Sequence, residues 1–196
     1  MRKRLGSFIE RDHSEMIRTE TDRPTVGSFW ANGIMLEHHV LLVRSRTVSS
    51  TGAKPGPCVQ AILDGNSGAV LGYARWETDP SPWWQRIFSR GLLAVHEQED
   101  EPLLFTMRRA WGLIPRREVC DADGQPVGTL IGRIVHDRHG RPLAVLENGV
   151  FRDVDQHALA ELSSTPEGMR LSFGNEITGE PFVKMLLLAA ALQIMK

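Results

Sequence analysis

The segment from Pro181 onward, PFVKMLLLAAALQIMK, limits what this chain can fold into more than any other stretch. Phe182, Val183, Met185 through Leu192, and Ile194 are apolar, apart from which only Lys184 and Gln193 interrupt before Lys196. Leu, Ala, Met and Gln favour a helix, and Pro181 stands where a first turn accepts proline, so a helix is predicted over 181–195. A helix that is apolar on every side must be enclosed by protein or by lipid. Fifteen residues at about 1.5 Å each span roughly 22 Å, short of the roughly 30 Å hydrocarbon core of a bilayer. The segment is therefore expected to be a core helix, with the rest of the chain surrounding it.

The preceding sequence reads as strands. From Ile34, Leu36, His38, Val40 and Leu42 alternate with Glu37, His39 and Leu41, predicting a long strand that ends in the Ser/Thr/Gly/Pro-rich stretch 47–57. Asp64-Gly65-Asn66-Ser67-Gly68 then separates two runs, because Asp, Asn and Gly tolerate the positive φ of a tight hairpin. Val70, Gly72, Ala74 and Trp76 are expected to share one face. Asp121-Ala122-Asp123-Gly124 and Asp137-Arg138-His139-Gly140 repeat the device, while Leu93 and Val95, then Leu103, Phe105 and Met107, alternate with period two. About ten to twelve short strands with tight turns predict an antiparallel meander. A sheet of that length removes its exposed edges by closing. The expected fold is mainly β, a closed antiparallel barrel enclosing its own C-terminal hydrophobic helix. Residues 1–33, polar and charged, read as a tail or loosely docked lead-in to a barrel domain over 34–196.

Composition narrows the function classes. A formal net charge of −1 argues against general nucleic-acid binding. Two cysteines, Cys58 and Cys120, without a CxxC, point to a reducing compartment. Met1–Phe8 opens like an export signal but runs into Glu10, Arg11 and Asp12, so a cytoplasmic location is expected, peripheral to a membrane's inner face at most. Arginine supplies nineteen of the 23 positive charges, and its planar fork suits phosphate or carboxylate recognition where it is not simply solvated.

The order LGYARWE, LLAVHEQEDEPLLFTMRRAW, RREVCDADGQPVGTLIGR and LSFGNEITGEPFVKMLLLAAAL, from about Ile34 to Lys196, resembles the phospholipid scramblase family and its tubby-like barrel relatives. The resemblance implies a twelve-stranded barrel around a central helix, acting at membranes or on lipid headgroups. The acidic and amide run that calcium-responsive members carry before the last helix is thinned here, in Glu167 to Glu176, to too few carboxylates for a cation that takes six to eight oxygens. The proline-rich arm and cysteine cluster of animal scramblases are absent from this sequence.

Two segments are candidate membrane contacts. Arg108 and Arg109, with Arg116 and Arg117, bracket Trp111, Leu113 and Ile114. As a loop this would place cations against phosphate and an apolar tip in the headgroup layer; as strand, the same residues are ordinary barrel positions. Trp83, Trp84 and Arg86 form the second segment, either interfacial or part of a short helix plugging the barrel. No metal site is expected at Asp121 and Asp123, because an EF-hand would want glycine where Pro126 stands and glutamate where Gly132 stands. The seven histidines form no HExxH, no nucleophile elbow or Walker loop occurs, and His38 and His39 would point to opposite faces of a strand. A non-catalytic protein without a cofactor is expected. It would bind or move anionic phospholipid. The alternative is a soluble interaction or regulatory module with a protein partner for residues 1–33.

Overall fold

The computed structural model describes residues 34–46, 59–77, 91–97, 103–110 and 114–195. A one-turn helix α1 (Ile34–Glu37) precedes strands β1 (Val40–Arg46), β2 (Val59–Asp64), β3 (Val70–Glu77), β4 (Leu92–His96), β5 (Leu103–Ala110) and β6 (Arg116–Asp121). There follow β7 (Pro126–Ile131), β8 (Ile134–Asp137), β9 (Pro142–Glu147), β10 (Val150–Arg152), β11 (Ala158–Thr165), β12 (Gly168–Phe173) and helix α2 (Pro181–Ile194). Each strand pairs antiparallel with its sequence neighbours, and β1 pairs with both β2 and β12, closing a twelve-stranded barrel. The predicted lead-in, residues 1–33, lies outside the described residues, as does the stretch 47–58.

Alternation decides what faces inward. Leu41 and Val43 of β1 lie opposite Leu171 and Met169 of β12, Val95 opposite Phe105, Met107 opposite Val119, and Leu130 opposite Val135, and nearly all of these side chains are buried. The polar turns are built on one repeated device. Asp64, Asp121, Asp137 and Asp153 each turn a carboxylate back to accept backbone amides of their own turn, at 2.8–3.1 Å. Aspartate suits that task because its short side chain reaches the amide two residues on. The Ser67 hydroxyl and then the Asn66 amide hold the Asp64 carboxylate below the usual range, and the Arg141 amide does the same for Asp137.

Helix α2 fills the space the strands enclose. Lys184 through Leu192 are buried on every side of the helix, as its all-round apolar sequence requires. No helix among the described residues is long and apolar enough to cross a membrane. The helix approaches β7 at Gly128, where a Cβ would run into the carbonyl of His136 and crowd both methyls of Leu186 at 2.9 Å.

Two expectations are corrected. The strand predicted from Ile34 begins only at Val40, because Ile34–Glu37 turns into α1 and folds Met35 and Leu36 into the core. Consequently Leu41 and Val43, rather than Leu36, Val40 and Leu42, mark the inner face, and His38 and His39 lie before the strand. Val70 does not join the face of Gly72, Ala74 and Trp76. The pairing slips by one residue between Ile62 and Leu63, and Val70 is left exposed.

The lysine inside the apolar helix has a specific role. Lys184 is buried, its Nζ donates to the carbonyl of Leu36 at 2.8 Å and lies 5.4 Å from the centre of the Phe173 ring. This ties α1 to the start of α2. Desolvation lowers the ammonium's pKa from 10.5, only partly offset by Glu37. Between the lowered folded value and 10.5 the unfolded chain binds more protons, so this group adds stability as pH rises through that window. Urea unfolding at pH 7 and pH 10 is expected to show wild type gaining on Lys184→Met at the higher pH. An unchanged difference would mean that the amine is not desolvated in the fold.

Candidate site at one mouth of the barrel

Because neighbouring strands are antiparallel, their connections alternate between two mouths. The β2–β3, β4–β5, β6–β7, β8–β9 and β10–β11 turns share the entry mouth with the start of α2. The β1–β2, β3–β4 and β5–β6 connections share the exit mouth with its end. The two segments singled out in the sequence, 80–90 and 108–117, belong to β3–β4 and β5–β6. The fold therefore attaches both at the exit mouth. Trp83, Trp84, Arg86 and Trp111 themselves lie outside the described residues.

The four arginines are described, and they sit on strands rather than in a loop. They divide by pleat. Arg108 stands opposite Glu118 on the outside of the barrel, and its Nε and Nη2 donate to Glu118 Oε2 at 3.0 and 2.8 Å. Arg109 follows Met107 by two residues, Arg117 precedes Val119 by two, and both therefore continue an inward-facing row. They are directly opposed in register. Both line a cavity of about 380 Å³ at the exit mouth, with Arg116, Pro115, Gly91 and Gln193 of α2 around it.

The electrostatics of this recess are unusual for a barrel end. Like charges directly opposed across a sheet cost stability. Among the described residues, Arg109, Arg116 and Arg117 have no carboxylate within ion-pair distance. The Arg117 guanidinium lies 5.6 Å from the centre of the Trp76 ring, where the negative face of the indole favours it. Burial, and secondarily the charge of Arg109, lowers the pKa of Arg117 from its usual value. The last turn of α2 presents the negative end of the helix dipole to this mouth, which favours the arginines and opposes an anion on the helix side. The buried Oε1 of Gln193, an acceptor, has no hydrogen-bond partner among the described residues. Arginine donors without a carboxylate partner among the described residues suit the strand side of this recess to an anion.

The entry mouth offers different chemistry. Asp153, Asp155 and His157 bring ligand atoms within 4.8 Å of one another, a grouping the sequence reading did not single out. The Asp153 carboxylate is already engaged by the amides of Asp155 and His157 and by the His157 ring at 3.2 Å, which raises the pKa of His157. This is the geometry of a β10–β11 turn. Asp121 and Asp123 form the predicted hairpin, with Asp121 Oδ1 accepting the Gln125 amide at 2.8 Å. A groove of about 430 Å³ runs between this turn, the Asp137–His139 turn and the first turn of α2, with Leu143, Phe182 and Val183 on its apolar side.

No family model, curated protein or solved structure matches this chain.

Proposed function

We propose that this protein is a non-catalytic barrel that binds anionic phospholipid headgroups peripherally, through the exit mouth. The observation that carries the reading is the set of Arg109, Arg116 and Arg117, without a carboxylate partner among the described residues, at the mouth where both Trp/Arg connections attach. Cations at the surface meet lipid phosphates, and the tryptophans of those connections have the amphipathic rings that favour a headgroup layer. Arg108 contributes least, because Glu118 already neutralises it. Scrambling of lipid between leaflets is the further step that the sequence resemblance suggests.

Flotation with neutral vesicles and with phosphatidylserine- or phosphoinositide-containing vesicles, at low and physiological salt, with and without calcium, tests this. Binding to anionic vesicles that weakens with salt is expected. At about 1 kcal/mol per arginine near the surface, Arg109→Gln/Arg116→Gln should weaken it by about 2 kcal/mol, roughly thirtyfold. Wild type that ignores anionic vesicles at low salt overturns the reading. The exposed Phe182 in the entry-mouth groove favours the second reading, an interaction module for a protein partner, which a failed flotation would bring forward.

A further inference from the structure

The exit-mouth arginines are not an undifferentiated basic patch. Arg109 and Arg116 are exposed and Arg117 is half-buried, but only Arg109 and Arg117 continue the inward rows, side by side on the paired strands β5 and β6 at the wall of the recess. A diester phosphate of a bilayer surface carries one charge and two esterified oxygens. A phosphomonoester carries a charge of about −1.5 to −2 at pH 7 and three strong acceptor oxygens. Two guanidinium forks set side by side on the paired strands β5 and β6 match the second in charge and in the number of oxygens they can reach. A volume of about 380 Å³ admits a phosphate with a short polyol stem but not the face of a membrane.

We propose that Arg109 and Arg117 form a pincer for a single terminal phosphomonoester, projecting into the barrel mouth from a lipid headgroup or carried by a free small molecule. The lipid form of this proposal rests on the headgroup reading above; the pincer itself does not. Gln193 of α2 lines the helix side of the recess. The Trp76 ring beneath Arg117 restricts where that guanidinium can go. Because the two cations repel each other when the recess is empty, the site sacrifices some stability to bind, which gives the test two readouts of opposite sign.

Thermal melts of wild type, Arg109→Gln, Arg117→Gln and the charge-matched control Arg170→Gln, an exposed residue on β12, are compared in phosphate-free buffer of constant ionic strength. Glycerol 3-phosphate is the monoester probe and dimethyl phosphate the diester. The monoester is expected to raise the melting temperature of wild type and Arg170→Gln by several degrees and the diester to leave it in place. Arg109→Gln is expected to melt at the same temperature as wild type without ligand, or up to about 3 °C higher, and to lose the monoester response. Arg117→Gln, more buried, serves as the second variant, and Arg117→Lys should recover only part of the response because it keeps the charge and loses the fork. Equal shifts with both anions, no shift with either, or an undiminished response in Arg109→Gln and Arg117→Gln overturns the pincer.

Vesicles of phosphatidic acid and phosphatidylglycerol at matched surface charge identify the source. Preference for phosphatidic acid, lost in Arg109→Gln, assigns the monoester to a lipid. A monoester response in solution without flotation assigns it to a free molecule, and the pincer stands while the headgroup reading falls. Flotation without preference for phosphatidic acid, weakened in Arg109→Gln only by the roughly fivefold expected of any one surface arginine, leaves the headgroup reading and removes the pincer.

Discussion

Leu187→Asp is expected to abolish folding. Leu187 is at the middle of α2 and has no exposed surface, so an aspartate there would bury a charge without a partner. The penalty for an unpaired buried ion is several kcal/mol even after relaxation, to which the lost apolar burial of about 1.5–3 kcal/mol is added. A domain's entire stability is about 5–15 kcal/mol. Expression of the variant should give aggregate or a soluble chain without a cooperative melt, whereas Leu187→Met, which keeps volume and polarity, should cost less than about 1.5 kcal/mol. Recovery of Leu187→Asp as a monomer with wild-type melting would show that α2 is not the centre of the fold.

Gly128→Val is expected to be the next most damaging single change. The added side chain would meet the His136 carbonyl on the neighbouring strand and both Leu186 methyls, so either β8 or the helix must move. Overpacking of a tight core costs about 1–3 kcal/mol and sometimes more, and here one obstacle is backbone. A fall in melting temperature of about 6–12 °C corresponds to about 3 kcal/mol in a chain of this size. If helix proximity is the cause, Leu186→Ala and Gly128→Val should be less damaging together than the sum of the two alone, because the first removes the atoms that the second strikes. Strict additivity would place the whole effect in the sheet.

The fold was legible because its two signals are physically independent and demand each other. Period two in Leu103, Phe105 and Met107, with the Asp/Gly turns, called for a closing sheet; the helix with no solvent face called for a container. The strand predicted from Ile34 starts late, at Val40, because Met35 and Leu36 are apolar enough for either reading and their burial in the core favours α1. Val70 failed for a different reason, since a one-residue slip in pairing leaves no mark on the sequence. The sequence marks the arginines as a candidate membrane contact but does not divide them into inward and outward residues. Extending the row Leu103, Phe105, Met107 by one more step reaches Arg109, so its inward direction was available. That Arg117 would be directly opposite depends on where the hairpin turns, which pairing alone fixes. Lys184 looked like an interruption of an apolar run, and nothing local to it announces the Leu36 carbonyl 148 residues earlier.

The placement of the core also sets an order of events in synthesis. The twelve strands leave the ribosome before the helix that fills them, and β1 must wait for β12 before its second edge is paired. Until then the growing chain carries a curved apolar surface with open edges, the form most prone to pair with another copy. Contacts this distant in sequence make closure slow, since a long loop must be ordered before they form. Pairing of β1 with β12 and docking of the helix that follows are thus the steps that turn an aggregation-prone sheet into a closed one.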